Sequence, residues 1–193
     1  AISTVSGNQI DNSGTLGTTG RGSDGIFVWS HGQTASSVAI DGNTVVNTST
    51  ISTIGASADG IRLFANSPTS AVSISENSIV NSGSIYTKGA SADAIVIEGY
   101  GGASFSSSNN TISNTGSLIS AYGDAIDVST GSGNTLNLST EGFIAGGLAL
   151  GTGDTVNLIS TTTHSTFWTF AESSGCGSSV APHICAPSLN AVE

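Results

Sequence analysis

The stretch "NSIVNSGSIYTKGASADAIVI", residues 77–97, restates in altered form what stands at residues 43–63, "NTVVNTSTISTIGASADGIRL". Both phrases open on Asn, carry a second Asn four residues later, and reach an Asp sixteen residues after the first. Anchoring on the opening Asn gives Asn8, Asn43, Asn77, Asn110 and Asn134, at spacings of 35, 34, 33 and 24. Anchoring on the acidic residue gives Asp24, Asp59, Asp93 and Asp124. From Asn to Asp the distances are 16, 16, 16 and 14; from Asp to the next Asn they are 19, 18, 17 and 10. The first half of each unit is nearly constant. The second half shortens toward the C-terminus. A fixed period of this size is the signature of a repeat architecture, with length variation confined to one corner.

Within each phrase the apolar residues fall in short period-two runs: Val45, Ile51, Ile61, Leu63, Val72 and Ile74, then Ile79, Ile85, Ile95 and Ile97, then Ile112, Leu118, Ile126 and Val128. Runs of three to five residues, separated by Gly, Ser and Asn, read as strands, and helical spacing never persists. One such strand cannot bury itself. Stacking rung on rung pairs each backbone with its neighbour and lines up the branched residues as inward ladders. The expected fold is all-β: a right-handed parallel β-helix, a solenoid with variable inserted loops, the handedness following from strand twist. It occupies residues 1–160, with rungs opening near 8, 43, 77, 110 and 134. Residues 161–193 form an irregular C-terminal cap and tail.

Composition agrees. Hydrophobic residues make up 37% of the 193 and charged residues only 8%. So few charges, against roughly 25% in ordinary soluble domains, leave Ser, Thr, Asn and Gly to cover the surface, and these favour turns and strands. The formal net charge is −10 with only three Lys and Arg. Nucleic acid is excluded as a partner, because phosphate neutralisation needs clustered cations. No apolar run is long enough to span a bilayer as a helix, so no membrane insertion by this segment is expected. The opening "AISTVSGNQIDNSGT" is already in the style of the repeats, with no signal peptide, as in a mature or excised segment of a longer chain. Cys176 and Cys185, in "CGSSVAPHIC", are expected to form a short local disulfide, which implies an oxidising compartment. A zinc site there would need ligands beyond His183.

The Asn column at Asn12, Asn47, Asn81 and Asn114 sits between strands and reads as a stacked turn. The Asp column reads as a turn or strand-opening position. Four stacked carboxylates suit calcium, yet the glycine–aspartate nonapeptide of calcium-binding β-rolls is missing, so no metal and no cofactor are expected.

The phrases "NSGSI", "NTGSL", "GDAIDV" and "SGNTLNLSTEGFIAGGLALGTGDTVNL", followed by "HSTFWTFA", resemble the passenger region of Gram-negative autotransporters over roughly residues 8–171. Residues 131–170 resemble the last rungs of a passenger. The resemblance implies an exported, surface-displayed or released stalk or adhesin in host or cell contact. It would sit at the bacterial cell surface, attached to the outer membrane, or be secreted.

Some passengers and many β-helices are enzymes. No Gly-x-Ser-x-Gly elbow surrounds any serine, and His31, His164 and His183 read as surface or loop residues. A polysaccharide lyase needs cations, but Arg21, Arg62 and Lys88 stack in no single column. A hydrolase needs paired carboxylates. Asp124 and Asp127 are expected on opposite faces of one strand, which leaves only pairs between rungs. A carbohydrate-active lyase or hydrolase is therefore the alternative, and no catalytic residue is assigned.

If the residues two and four after each Asp point inward, those three and five after it point outward. These are Phe27, Arg62 and Val96 in one column, and Trp29, Phe64 and Glu98 in the next. Phe27, Trp29, Arg62 and Phe64 are thus a candidate binding strip for a host or bacterial surface glycan or protein. The structural alternative is that the inserts "SHGQTASSV", "ANSPTSAV" and "GYGGASF" fold over these side chains. Trp168 and Phe170 are expected to cap the coil. Self-association into a fibre, end to end, is the remaining partner expectation.

Overall fold

The computed structural model describes residues 2–33, 37–160, 171–172, 183–185 and 191–192. The expected Cys176–Cys185 pairing and the cap by Trp168 and Phe170 lie outside the described residues. Those described form an all-β solenoid of stacked parallel strands, with no helix among them. The first coil comprises β1 (Ile2–Ser6), β2 (Gln9–Asn12), β3 (Leu16–Thr18) and β4 (Ile26–His31). The second comprises β5 (Ser37–Asp41), β6 (Thr44–Asn47), β7 (Thr50–Thr53) and β8 (Ile61–Ser67). The third comprises β9 (Ala71–Ser75), β10 (Ser78–Asn81), β11 (Ser84–Thr87) and β12 (Ile95–Gly101). The fourth has β13 (Ser104–Ser108), β14 (Thr111–Asn114) and the long β15 (Ser117–Asp127). Leaner turns follow, with β16 (Thr135–Ser139), β17 (Phe143–Ala149) and β18 (Thr155–Ile159). Short strands β19 (Ala171–Glu172), β20 (His183–Cys185) and β21 (Ala191–Val192) extend two of the sheets.

Each face of the coil is one parallel ladder. The first is β1-β5-β9-β13; the second runs from β2 through β6, β10, β14, β16 and β18 to β21. The third runs from β3 through β7, β11, β15 and β17 to β20 and β19, and β4-β8-β12 forms the fourth face, joining β15. Registers are in phase with the repeat. Ile79 stands between Val45 and Ile112, and Ile85 between Ile51 and Leu118. Every apolar position picked out by period two, from Val45 to Val128, is buried in one continuous core. Each fully buried branched side chain contributes roughly 1.5–3 kcal/mol relative to exposure.

Much of what reads as insert is itself strand, since β5, β9 and β13 form a regular face. The variable part is only the turn before it. From the start of the fourth-face strand to the start of the next first-face strand the chain runs 11 residues (26 to 37), then 10 (61 to 71), then 9 (95 to 104), which accounts for the repeat shortening by one residue per coil. The larger drop, from Asn110 to Asn134, has a different cause. Among the described residues, the first face gains after β13 only isolated bridges, from Ser108 to Ser132 and from Ser132 to Thr152.

Polar ladders bracket the second face. In β6, β10 and β14 burial alternates, so Asn47, Asn81 and Asn114 occupy inward positions like the apolar residues two before them. Asn12 Nδ2 donates to Asn47 Oδ1, Asn47 to Asn81 and Asn81 to Asn114, each at 2.7 Å. The opening Asn residues form a second ladder. The backbone N–H and the Nδ2 of Asn8, Asn43, Asn77 and Asn110 all donate to Oδ1 of the next Asn, at 2.9–3.1 Å. Asn134 donates in the same way to Asp154 Oδ1, while Asp154 Oδ2 accepts the Gly151 N–H at 2.7 Å.

The residue before each member of this ladder lies in the left-handed region: Gly7, Gly42, Glu76, Asn109, Gly133 and Gly153. Glycine and Asn tolerate that geometry; Glu76, at φ 57°, does so at a cost. At the other turn, a Cβ on Gly89 would land on the carbonyl oxygen of Gly55 one coil below.

Three substitutions test this scheme by chemical denaturation. Asn81→Ala strips buried partners from Asn47 and Asn114 and is expected to cost about 2–4 kcal/mol. Gly89→Ala is expected to cost about 1–3 kcal/mol through forced backbone displacement. Glu76→Gly is expected to stabilise by about 0.5–1 kcal/mol; an unchanged or lower midpoint would contradict the strain at that turn.

Candidate functional site

The constant turn that precedes the fourth face sets its geometry. Asp24, Asp59, Asp93 and Asp124 stack there. The backbone N–H of Asp59 donates to Asp24 Oδ1 at 2.8 Å, that of Asp93 to Asp59 Oδ1 at 2.8 Å, and that of Asp124 to Asp93 Oδ1 at 2.7 Å. The Asp column is therefore a third ladder, continuous with the strands it launches. The carboxylates of Asp24, Asp59 and Asp93 are already engaged as backbone acceptors. Among the described residues, no group of three or more His, Cys, Asp or Glu converges as metal ligands.

Beyond the turn, β4, β8 and β12 lie side by side in register. Phe27 stands opposite Arg62 and Val96, Trp29 opposite Phe64 and Glu98, and His31 opposite Asn66 and Tyr100. Alternation places Ile26, Val28, Ile61, Leu63, Ile95 and Ile97 in the core. The intervening side chains form a three-by-three grid on the outer surface. Three aromatic members are open, Phe27 at 46% exposed, Trp29 at 52% and Tyr100 at 61%, while Phe64 is half-buried. The inserts do not bury Phe27 or Trp29. Val96 departs from the expected outward column, being only 2% exposed, and its strand neighbours are Arg62 and Asp127.

The grid is cross-linked. The Phe27 and Trp29 rings are parallel within 11° at 6.1 Å, and Trp29 and His31 stack at 5.6 Å. The Arg62 guanidinium lies over the Phe64 ring at 4.6 Å and the Phe27 ring at 5.5 Å. It pairs with Glu98 at 2.5 Å and stands 3.8 Å from Asp24 and 3.9 Å from Asp59. Arg62 is thus a cation held between two aromatic faces and three carboxylates, and its buried Nε has no hydrogen-bond partner. Asn66 Oδ1 accepts the Trp29 indole N–H at 3.0 Å and lies 3.0 Å from His31 Nδ1. Indole N–H only donates, so the shared atom is the amide oxygen, and His31 must carry its proton on Nδ1. That leaves the Nε2 acceptor of His31 and the Nδ2 donors of Asn66 without a partner among the described residues.

All four residues of the expected strip, Phe27, Trp29, Arg62 and Phe64, come together here. The third column, His31, Asn66 and Tyr100, escaped the sequence reading. Counting two residues further from each Asp would have found it, but only the structure shows that β4, β8 and β12 continue that far. Asp124 and Asp127 also differ from expectation. The register of β15 shifts between Asp124 and Ile126, so strict alternation fails there, and both carboxylates act on Asp93.

Burial acts on the Asp ladder. Desolvation raises Asp24, Asp59 and Asp93 above the ordinary value of 3.8. For Asp24 the Asp59 N–H and the Arg62 charge oppose it. Asp59 is pushed up to about 6, with the Asp93 N–H and Arg62 lowering it and the Asp24 and Glu98 charges raising it. Asp93 reaches about 7, because its N–H bond from Asp124 is outweighed by burial and by the charges of Asp59, Asp127 and Asp124.

A folded-state pKa above the unfolded one means the native state holds a proton that the unfolded chain has released. Stability from Asp93 is full below about pH 4 and is lost as pH rises to about 7; that from Asp59 is lost by about pH 6. The melting temperature is therefore expected to fall between pH 4.5 and 7.5. Asp93→Asn, which keeps the acceptor oxygen and removes the charge, is expected to raise it at pH 7.5 and flatten the slope. A slope unchanged by Asp93→Asn would refute the assignment.

The chain matches no known protein family, no curated protein and no solved structure.

Proposed function

We propose that this chain is a non-enzymatic, exported β-solenoid of the autotransporter-passenger kind, an adhesin or stalk that makes contact at the bacterial surface through the grid on its fourth face. The observation that carries this reading is the grid itself: exposed aromatic rings held in register on a stack of parallel strands. Rings fixed by stacking, a shared amide oxygen and a clamped arginine lose little freedom on contact with a partner. The alternative, a polysaccharide hydrolase or lyase, draws less support. Asp24, Asp59 and Asp93 are each engaged by the N–H of the next coil. The most central cation, Arg62, is surrounded by carboxylates.

A repetitive surface of Ser, Thr and Asn suits a stalk that must stay soluble at low charge, and the expected disulfide suits an oxidising compartment. Contact is with a surface glycan or protein on a host or bacterial cell. The test is adhesion of protein-coated beads to bacterial and epithelial cells. Wild-type beads are expected to adhere, and the Trp29→Ala, Phe64→Ala double variant to lose most of that adhesion with its fold intact by circular dichroism. Equal adhesion by both, or release of sugar ends from a polysaccharide panel, would overturn the reading.

A further inference from the structure

We propose that the grid of Phe27, Trp29, His31, Phe64, Asn66 and Tyr100 is a binding site for a neutral glycan chain. The proposal rests on the surface-contact reading above and names the class of its ligand.

Size comes first. Strands lie about 4.8 Å apart and rise about 3.3 Å per residue, so three strands by the span from Phe27 to His31 present roughly 200 Å². A stable protein interface needs about 800 Å² on each side. The grid is too small to hold a folded partner by itself, but it is the size of a few sugar rings.

Charge comes second. The one cation in the grid, Arg62, faces Asp24, Asp59 and Glu98, and Val96 is paired with Asp127 at the edge. An anionic glycan, a phosphate or an acidic peptide would meet Glu98 and an Arg62 already paired with carboxylates. A neutral ligand meets no such penalty.

Chemistry comes third. One face of a pyranose ring is lined by C–H groups, which carry slight positive charge and suit the electron-rich face of an aromatic ring. Phe27 and Trp29, parallel at 6.1 Å and 46% and 52% exposed, offer the parts of two such rings that Arg62 and His31 leave open. Hydroxyl groups on the ring edges need both donors and acceptors. The grid supplies them: the Nδ2 donors of Asn66, the Nε2 acceptor of His31 and the half-exposed carboxylate of Glu98. Because Asn66 Oδ1 fixes both the indole and the imidazole, these groups are set before the ligand arrives. The grid is small and lies on the outer side of the strand stack, so affinity at a single grid is weak and adhesion depends on many displayed copies.

The test uses the full chain in saturation-transfer NMR against neutral hexose and N-acetylhexosamine oligomers of several units. Matched uronic-acid and sulfated oligomers form the second arm. Saturation transfer to at least one neutral oligomer is expected. It should fall at least tenfold in Trp29→Ala and in Asn66→Ala, whose lost amide frees both rings. It should be unchanged in Phe143→Ala, an exposed aromatic on the third face. Binding confined to anionic oligomers, or neutral binding indifferent to Trp29→Ala, would overturn the proposal. So would cell adhesion that depends on Trp29 without any neutral oligomer binding; that result would leave the adhesin reading standing and point to a protein receptor. Absence of both adhesion and oligomer binding in the unaltered chain would overturn both.

Discussion

The structure depends on buried side-chain oxygens that accept N–H groups from a neighbouring coil. Three columns do this: each opening Asn accepts the backbone and amide N–H of the Asn one coil before, each turn Asn accepts the amide N–H of the Asn one coil before, and each Asp ahead of the fourth face accepts the backbone N–H of the Asp one coil after. A parallel stack satisfies backbone groups within its strands, but at each corner the chain bends and the ladder breaks. A buried N–H left there without a partner costs about 1–3 kcal/mol. Asn and Asp are the residues whose short side chains reach back to those corners. With the corners satisfied, the strands between them can be only four residues long and still stack in phase.

This constraint explains why so much of the fold is legible in the sequence. The spacing of Asn and Asp is the spacing of the corners, and the period-two apolar residues are the core ladders between them. The turn column at Asn12, Asn47, Asn81 and Asn114 reads directly. The opening Asn residues read as a period only, since nothing in composition says that Asn43 faces Asn77 and donates to it twice. The regular face of β5, β9 and β13 was hidden for a physical reason. Its outward residues are Ser and Ala, with Asp41, which in one dimension look like a loop. The outer grid was half legible. Its first two columns follow from the Asp anchor, while His31, Asn66 and Tyr100 depend on how far the strands run.

The same repeat that makes shape also makes the surface. Because the registers are exact multiples of the coil, a side chain outward in one coil has a fixed neighbour in the next. Phe27, Trp29 and Phe64 are departures from a Ser- and Thr-rich pattern, and they are gathered where β4, β8 and β12 are longest. Further along, the fourth face merges into β15 and the coil loses its first face, so the grid has no continuation. The buried Asp ladder beneath its base adds pH sensitivity to the scaffold, strongest where Asp93 lacks the cation that serves Asp24 and Asp59.

The opening Asn ladder also has a direction. Along the column each Asn gives its backbone N–H and an amide hydrogen to the oxygen of the following Asn, so the column is a polar chain, like a row of arrows. Asp154 stands where the next Asn would be. A carboxylate takes the two hydrogen bonds from Asn134 and has none to pass on; its second oxygen turns back to Gly151. One exchange of an amide nitrogen for oxygen thus acts as a full stop. The column therefore has a sense of its own: amide meets amide from Asn8 to Asn134, and amide meets carboxylate at Asp154.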